Sequence, residues 1–466
     1  MRAHARTGRR RRGDDGRDRR VRLRLAVGER RPGGEHRARH GRGVAVHAGY
    51  GARDLRANDP STPRTLYGIG SITKSMTALS ILQLAERGEL SVSDSIADHL
   101  PELRALEADG EITIADLLTH SSGLPSDGSA HVLLSRGIGA DPFPIPLSSR
   151  DDYYRYLRAT AGDRVSDDDA FFYYNSGYFV LGCVVEEITG QEYDDYVRQN
   201  VLEPLGMERA TFTRDEFESD PDRMTPYLLD EGTPTPATFP FYDVVQAAGG
   251  LLASVEELGA YLQCFLGDDC ALVSDEAVAE MHEHHATWNR AIDGTEQGYG
   301  YGWMVGPFDG DRLVGHLGDV TVSTSYVGFL EQQQVGIAVS CNTAPPCHPI
   351  NVGKGVLALL NGETPERAVS YFGLREKRRP LPGEYESRRG VARATVTADG
   401  AALSLELDDL LETATYRLLP ETDDPTDRSF YTIAPDGTRL PAKFEVDDGD
   451  VDLRFQRWRL RKVDSN

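Results

Sequence analysis

The sequence predicts an α+β fold of helices and antiparallel strands, followed by a small all-β domain. Three observations carry this reading. Helix-spaced apolar residues run into glycines within the first 360 residues, a strand pair with a polar turn follows them, and the C-terminal stretch consists of short alternating runs separated by Asp-Gly dipeptides. There is no regular strand-helix alternation and no internal repeat.

The chain has 466 residues, enough for one large or two medium domains. Its net charge of -23 is split unevenly: residues 1 to 50 hold 16 Arg and 5 acids (net +11), and the remaining 416 residues hold 35 basic and 69 acidic side chains (net -34). Residues 1–43 have almost no aromatic or branched apolar residues and no periodicity, so they are expected to be disordered. Order is expected from about Val44. A body this acidic repels nucleic acid and anionic lipid faces, which argues against both as partners. Only five residues are Lys. Low Lys with abundant Asp and Glu suits hydration in concentrated salt, so a halophilic protein is expected; a GC-rich genome would explain the Lys shortage but not the acid excess. No run of about 18 apolar residues exists, which excludes a membrane-spanning helix. The basic start leads into no apolar stretch, so as written the chain is not exported and is expected in the cytoplasm. Cys183, Cys264, Cys270, Cys341 and Cys347 are odd in number and lack zinc spacing. They read mostly as packing residues, with Cys341–Cys347 the one pair considered for a loop disulfide, and no metal or cofactor is expected.

Between Ser71 and Arg87, apolar residues at Met76, Leu79, Leu82 and Ala85 give a helix with one buried face, stopped by Gly88. Tyr178 to Thr189, with Gly190, repeats that pattern. Ser254 and Glu256 read as the N-cap and first-turn acid of a helix through Phe265. Tyr326-Val-Gly-Phe and Val335 to Ser340 form a strand pair joined by the polar Glu331 to Gln334. The charged, Pro-bearing stretch 366–380 reads as a linker. Beyond it, Leu403 to Leu407 and Val451 to Phe455 alternate strictly, with Asp399-Gly400, Asp436-Gly437 and Asp448-Gly449 as turns, so residues 381–466 form a small barrel-like domain.

Three constellations carry chemistry. In Ser71-Ile-Thr-Lys74, a hydroxyl and an amine three residues apart share a helix face. Ser71 would stand at the helix N-terminus, where unpaired N–H groups favour a developing negative charge, and a desolvated Lys74 could take the serine proton. Alone, the motif also fits an N-capping Ser and a solvated Lys. Tyr173-Tyr174-Asn175 offers a phenol whose ionised form a nearby ammonium would favour as a general base, and an amide able to bind a carbonyl. An aromatic cluster packed at a helix start is the competing reading. In Gly315-His316-Leu317-Gly318-Asp319, His316 and Gly318 share one strand face, and the missing side chain at Gly318 would let a substrate backbone approach.

At this point the chain resembles the serine β-lactamase-like hydrolases: class C β-lactamases, penicillin-binding proteins, D-aminopeptidases and related esterases. Beside the three motifs, Ile114 to Pro125, Ala248 to Ser254 and Tyr301-Gly-Trp303 match the family's landmarks in order, and the resemblance covers roughly residues 44 to 360. It implies a β-lactamase-like antiparallel sheet flanked by helices, with a helical subdomain, over 44–365, and a lipocalin-like barrel over 381–466 that acts as a lid or assembly surface. It further implies Ser71 as the acylated nucleophile, Lys74 and Tyr173 as the proton-handling pair, and Asn175 positioning Lys74 and the substrate. His316 would stand where many relatives carry the Lys of Lys-Thr-Gly, the N–H groups of Ser71 and Asp319 would form the oxyanion hole, and Tyr174 and Gly318 would line the cleft. Two departures stand out. Asp319-Val-Thr-Val-Ser replaces the usual Gly-x-Pro-Gly-Phe, and the Arg-rich tract replaces a helix and two strands, which suggests a shifted reading frame or mis-set start with the first sheet strands missing; a basic arm for an acidic partner is the alternative.

The function expected is therefore a serine hydrolase that cleaves an ester or amide, in a small molecule or peptide, through a Ser71 acyl-enzyme, with D-amino acid and β-lactam compounds among the candidate substrates. His is mostly neutral at pH 7, so His316 grips a carboxylate less firmly than Lys would, which favours a peptidase or esterase. The alternative is a non-catalytic ligand-binding or scaffold protein of the same fold. Nothing in the sequence fixes the oligomeric state.

Overall fold

The computed structural model describes residues 24–29, 43–139, 145–165, 171–242, 244, 246–267 and 270–463. An eight-stranded antiparallel sheet lies at its centre, built from β1 (Arg24–Glu29), β2 (Gly43–Ala48), β3 (Ala286–Arg290), β4 (Glu296–Tyr299), β5 (Met304–Phe308), β6 (Asp311–Asp319), β7 (Thr324–Leu330) and β8 (Val335–Cys341). Their spatial order is β2-β1-β8-β7-β6-β5-β4-β3. The ladder from β6 to β8 runs without a register shift, so His316 faces Val327 and Val327 faces Ala338. Alternation then sorts side chains between two layers. Leu313, Tyr326 and Ile337 pack beneath α4 (Pro349–Asn361), while Val314, Val327 and Ala338 join the larger helical core on the other face.

Strand β1 corrects one expectation. It arises inside the Arg-rich tract, pairing Arg24 with Ser340 through Glu29 with Val335, and β2 closes the sheet beyond it. The first sheet strands are therefore present, and residues 24–29 are not a disordered arm. Composition misses such a strand because pairing with an existing edge can recruit a short run of weak intrinsic preference. The rest of the tract lies outside the described residues.

Helix α1 (Thr73–Glu86) follows a 3₁₀ turn over Gly70–Ile72 and ends at Gly88, whose φ of 71° only glycine adopts freely. It is buried all round from Thr73 to Leu84, not on one face. Its polar residues survive there because they are small hydroxyls with local acceptors: Ser75 Oγ donates to the Ile72 carbonyl at 2.8 Å and Ser80 Oγ to that of Met76 at 2.9 Å. Helix α2 (Asn175–Thr189) stops at Gly190 in the left-handed region. Helix α3 (Val255–Phe265) starts at the N-cap Ser254 with Glu256 in its first turn, as expected, and Glu257 closes a capping box with Ser254. Cys264 and Cys270 form a disulfide, and Cys341 and Cys347 are free thiols, so the pair considered from sequence is not bridged.

The stretch read as a linker is also structured. Pro365–Ala368 and α5 (Ser370–Arg378) are helices, and α5 plugs onto the domain that follows. Its Lys377 is fully buried and donates to the Thr422 carbonyl at 2.8 Å and to Asp427 at 3.2 Å, so a charge that looks like linker composition is an internal anchor. Eight strands, β9 (Gly383–Ser387), β10 (Arg393–Asp399), β11 (Ala402–Asp408), β12 (Thr413–Pro420), β13 (Ser429–Ile433), β14 (Arg439–Asp447), β15 (Asp450–Phe455) and β16 (Trp458–Lys462), close into a barrel around Leu403, Leu405, Phe444 and Leu453. At its Asp448-Gly449 turn both residues have positive φ, 45° and 94°, as the tightest hairpins require. Among the described residues no helix is long and apolar enough to cross a membrane.

Candidate active site

Ser71 sits in the 3₁₀ turn that enters α1, at the meeting point of two cavities beneath the sheet. One turn on, Lys74 is wholly buried, and its Nζ lies 3.0 Å from Ser71 Oγ, 2.8 Å from Asn175 Oδ1 and 2.6 Å from the Ala248 carbonyl oxygen. Burial holds its ammonium well below the usual lysine range. A neutral amine fits the three neighbours: two N–H bonds to the fixed acceptors at Asn175 and Ala248 leave the lone pair for the Ser71 hydroxyl. Asn175 reaches Lys74 because it opens α2, and the Ala248 carbonyl belongs to the short helix Gln246–Gly249.

Tyr173 completes the group. Its phenol interacts with the Ser71 side chain, and its ring centroid is 4.9 Å from Lys74 Nζ. Burial pushes the phenol well above the usual tyrosine range, so it remains an O–H donor. Of the two groups expected to handle the serine proton, burial disfavours the charged form of each: the phenolate of Tyr173 and the ammonium of Lys74. His316 is buried on β6, on the sheet face toward Ser71. Its Nδ1 lies 2.6 Å from the Leu317 carbonyl, which can only accept, so Nδ1 carries the proton and Nε2 accepts from the Tyr299 hydroxyl at 2.9 Å. Burial lowers His316 to about 3, so the ring is neutral.

The remaining sequence-based candidates divide. Asp319 lines both cavities, and its carboxylate accepts from Thr321 N–H at 2.6 Å, which folds it into its own turn and leaves the main chain to face the cleft. A Cβ on Gly70, whose φ is 53°, would come within 2.6 Å of Asp319 N, so the Ser71 turn and the end of β6 are in close approach. Gly318 is needed for this approach and not for substrate: a Cβ there would overlap the Ile69 carbonyl. Tyr174 is likewise a core residue, buried among the helices and lining neither cavity. It follows an alternation that turns Tyr173 toward Ser71 and its neighbour inward.

His120, within the Ile114 to Pro125 stretch but never singled out, clamps the segment that bears Tyr173. Its carbonyl accepts from Phe172 N–H and its Nδ1 from Tyr174 N–H, each at 3.1 Å, and its ring lies 4.4 Å from that of Tyr173. It does so with a left-handed φ of 61°, uncommon for a residue other than glycine. Tyr299, Trp288 and the Ala248 carbonyl were also missed; Ala248 lies in a quoted landmark, and Tyr299 stands just before another. The larger cavity, of about 450 Å³, is lined by Phe171, Tyr173, Trp288, Tyr299, Met304 and His316.

Residues 18–359 match the family model described as Beta-lactamase. The chain belongs to the beta-lactamase family. Residues 365–461 match the Pab87 octamerisation domain, so α5 and the barrel fall within one recognised unit. Over nearly its whole length this beta-lactamase family member is similar to the octameric penicillin-binding protein homologue from Pyrococcus abyssi, at 34% identity and a TM-score of 0.84, covering 94% of this chain and 95% of that one. It is 27% identical over 307 residues to protein flp of Staphylococcus aureus (strain MW2), covering 64% of this chain but only 57% of that relative's length. It is 28% identical over 300 residues to penicillin-binding protein 4 of Amycolatopsis lactamdurans, covering 60% of this chain and 73% of the relative. Family membership supports an enzyme with serine-hydrolase-type activity.

Proposed function

We propose that this chain is a serine hydrolase that cleaves an ester or amide through a Ser71 acyl-enzyme. The observation that carries this reading is Lys74 Nζ, wholly buried and placed between Ser71 Oγ and two fixed oxygen acceptors. Neutral Lys74 takes the Ser71 proton as Oγ attacks the carbonyl carbon, and the Ser71 and Asp319 N–H groups hold the oxygen that becomes negative. Tyr173, still protonated beside Ser71, passes a proton to the leaving group and is reprotonated from Lys74. Water then attacks the acyl carbonyl while giving a proton to Lys74, and that proton returns through Tyr173 to Ser71 Oγ as the acid departs. Asn175 keeps Lys74 aimed and offers its amide N–H to the substrate.

The substrate that fits is neutral and apolar on its acyl side. Phe171, Trp288, Met304 and Leu134 make much of the cavity wall apolar, with His131, Asp319 and Thr321 as polar positions, and the position that many relatives give to a lysine holds a neutral His316. Esters and amides of this kind suit the cleft better than substrates gripped by a carboxylate, and D-amino acid amides, whose acyl side carries an α-ammonium, are the contrasting class. Similarity to an octameric homologue across both domains supports assembly of this chain through the 365–461 unit. The acidic body is proposed to be an adaptation to concentrated salt.

Labelling with a fluorophosphonate and with a fluorescent penicillin, each against a Ser71→Ala control, tests the central claim. Adducts on the wild type alone are expected. If folded wild type forms no adduct with either reagent, the scaffold reading remains. A panel of p-nitrophenyl esters, D-amino acid amides and nitrocefin then sorts substrates, and light scattering compares the particle with eight times 51.3 kDa.

A further inference from the structure

Beyond Asp319, strand β6 turns into β7 through a hairpin whose central residues are Thr321 and Val322. Val320 N–H donates to the Ser323 carbonyl at 3.0 Å and Val322 N–H to the Val320 carbonyl at 2.7 Å, so Thr321 stands at the apex of a three-residue turn. Its φ is 68°. A turn of that sense is strained, tight hairpins usually place glycine at such a position, and a β-branched side chain is among the least suited to it. Packing does not account for the conformation, because Thr321 is exposed where it lines the larger cavity, while its neighbours Val320 and Val322 are buried. What holds it is a side chain: Asp319 Oδ1 accepts from Thr321 N–H at 2.6 Å.

This strain borders a main-chain donor on which the proposed reaction depends. Along an antiparallel ladder, successive N–H groups point to opposite sides. Val320 N–H points toward β7, so Asp319 N–H points the other way, to the side where the pairing of β5 with β6 has already stopped, at Gly315 opposite Met304. That N–H is therefore free of the ladder, and it lies against the Ser71 turn: a Cβ on Gly70 would stand 2.6 Å from Asp319 N. The rest of the hairpin is tied down. Ser323 Oγ donates to the Gly68 carbonyl at 2.9 Å and lies 3.1 Å from that of Cys341, and Val320 and Val322 pack with Leu66 and Tyr67. Thr321 is the residue of this hairpin that has to be held against its own preference.

We infer, on the hydrolase reading above, that the Asp319 side chain is a positioning residue for its own main-chain N–H. By clamping Thr321 in the left-handed turn, it keeps that donor aimed at the oxyanion formed beside Ser71. The clamp requires an oxygen acceptor and not a negative charge, so the carboxylate acts through the turn rather than on the substrate.

The test is a double-variant cycle on the full-length chain, read by the second-order rate of fluorophosphonate labelling and checked for folding by circular dichroism. Asp319→Ala is expected to label about 10²-fold more slowly, as when an oxyanion donor is lost. Glycine adopts a positive φ freely, so in a Thr321→Gly background the same Asp319→Ala change should cost no more than about threefold. Asp319→Asn, which keeps the acceptor and drops the charge, should also lose no more than about threefold. Equal losses from Asp319→Ala in both backgrounds, or a loss in Asp319→Asn as large as in Asp319→Ala, would overturn the inference. An unlabelled wild type would sink the hydrolase reading instead, and crystal structures would then decide the clamp alone. In Asp319→Ala, Thr321 should leave the left-handed region and the N–H of position 319 should draw away from Gly70; adding Thr321→Gly should restore the turn. An unmoved turn in Asp319→Ala would overturn the inference as well.

Discussion

Asn175→Asp is the most direct probe of Lys74 as the proton acceptor. The substitution keeps the side chain's shape and places a carboxylate where Oδ1 now lies, 2.8 Å from Lys74 Nζ. At an effective dielectric of about 20, a unit charge pair at that distance is worth about 6 kcal/mol, equivalent to more than 4 pH units on the lysine. Desolvation of the new carboxylate takes back part of this, and half of it would still move the lysine upward by about 2 pH units. In the wild type, burial lowers Lys74 well below the usual lysine range, which favours the free amine. In the variant, the ammonium persists, and the amine appears only at alkaline pH. The assay is the second-order rate of fluorophosphonate labelling across pH. Its rising limb should move about 2 pH units toward alkali, while the loss of an amide N–H donor lowers the plateau without moving the limb. An unshifted limb, in a variant with wild-type circular dichroism, would refute Lys74 as the base and return that role to Tyr173.

Four further outcomes follow from the same geometry. Gly318→Ala would force β6 away from the Ile69 carbonyl, so a loss of about 1–3 kcal/mol in denaturant unfolding is expected, with slower labelling from a displaced Asp319 N–H. His120→Ala removes the acceptor for Tyr174 N–H, and labelling should fall about 10²-fold while the far-ultraviolet circular dichroism is unchanged. Acid lability should be marked: the folded-state pKa of His316 is depressed to about 3 from an ordinary 6.5, so its contribution is present above pH 6.5 and is lost at up to about 1.4 kcal/mol per pH unit as pH falls toward 3, measurable by urea unfolding at several pH values. Finally, removing salt should lower hydrolysis rates if the net charge of -34 beyond residue 50 is a solvent adaptation, and indifference would count against that reading.

What the sequence made legible, and what it hid, follows from how local each signal is. The Ser71 to Lys74 spacing, the glycine stops and the Asp-Gly turns are properties of adjacent residues, and the structure places Ser71, Lys74, Tyr173, Asn175 and His316 around one cleft. The errors arise where a partner distant in sequence decides. Gly318 looked like room for substrate and is room for Ile69, 249 positions earlier. Lys377 looked like linker and is an anchor bound to Thr422, and Leu25-Ala26-Val27 looked like debris and is a strand because β8 offers it an edge. Protonation belongs to the same class. Spacing alone put an ammonium next to a tyrosine and implied a phenolate, but α2, β6 and the Ala248 carbonyl together remove the water that would sustain either charge. The proposed assignment of the enclosed lysine as base and the enclosed tyrosine as acid therefore depends on burial, which no motif encodes. Neutrality at Lys74, Tyr173 and His316 is therefore a property of how the sheet and the helical core close over them. The perturbation that should damage catalysis most for its size is one that readmits water, not one that deletes a charge.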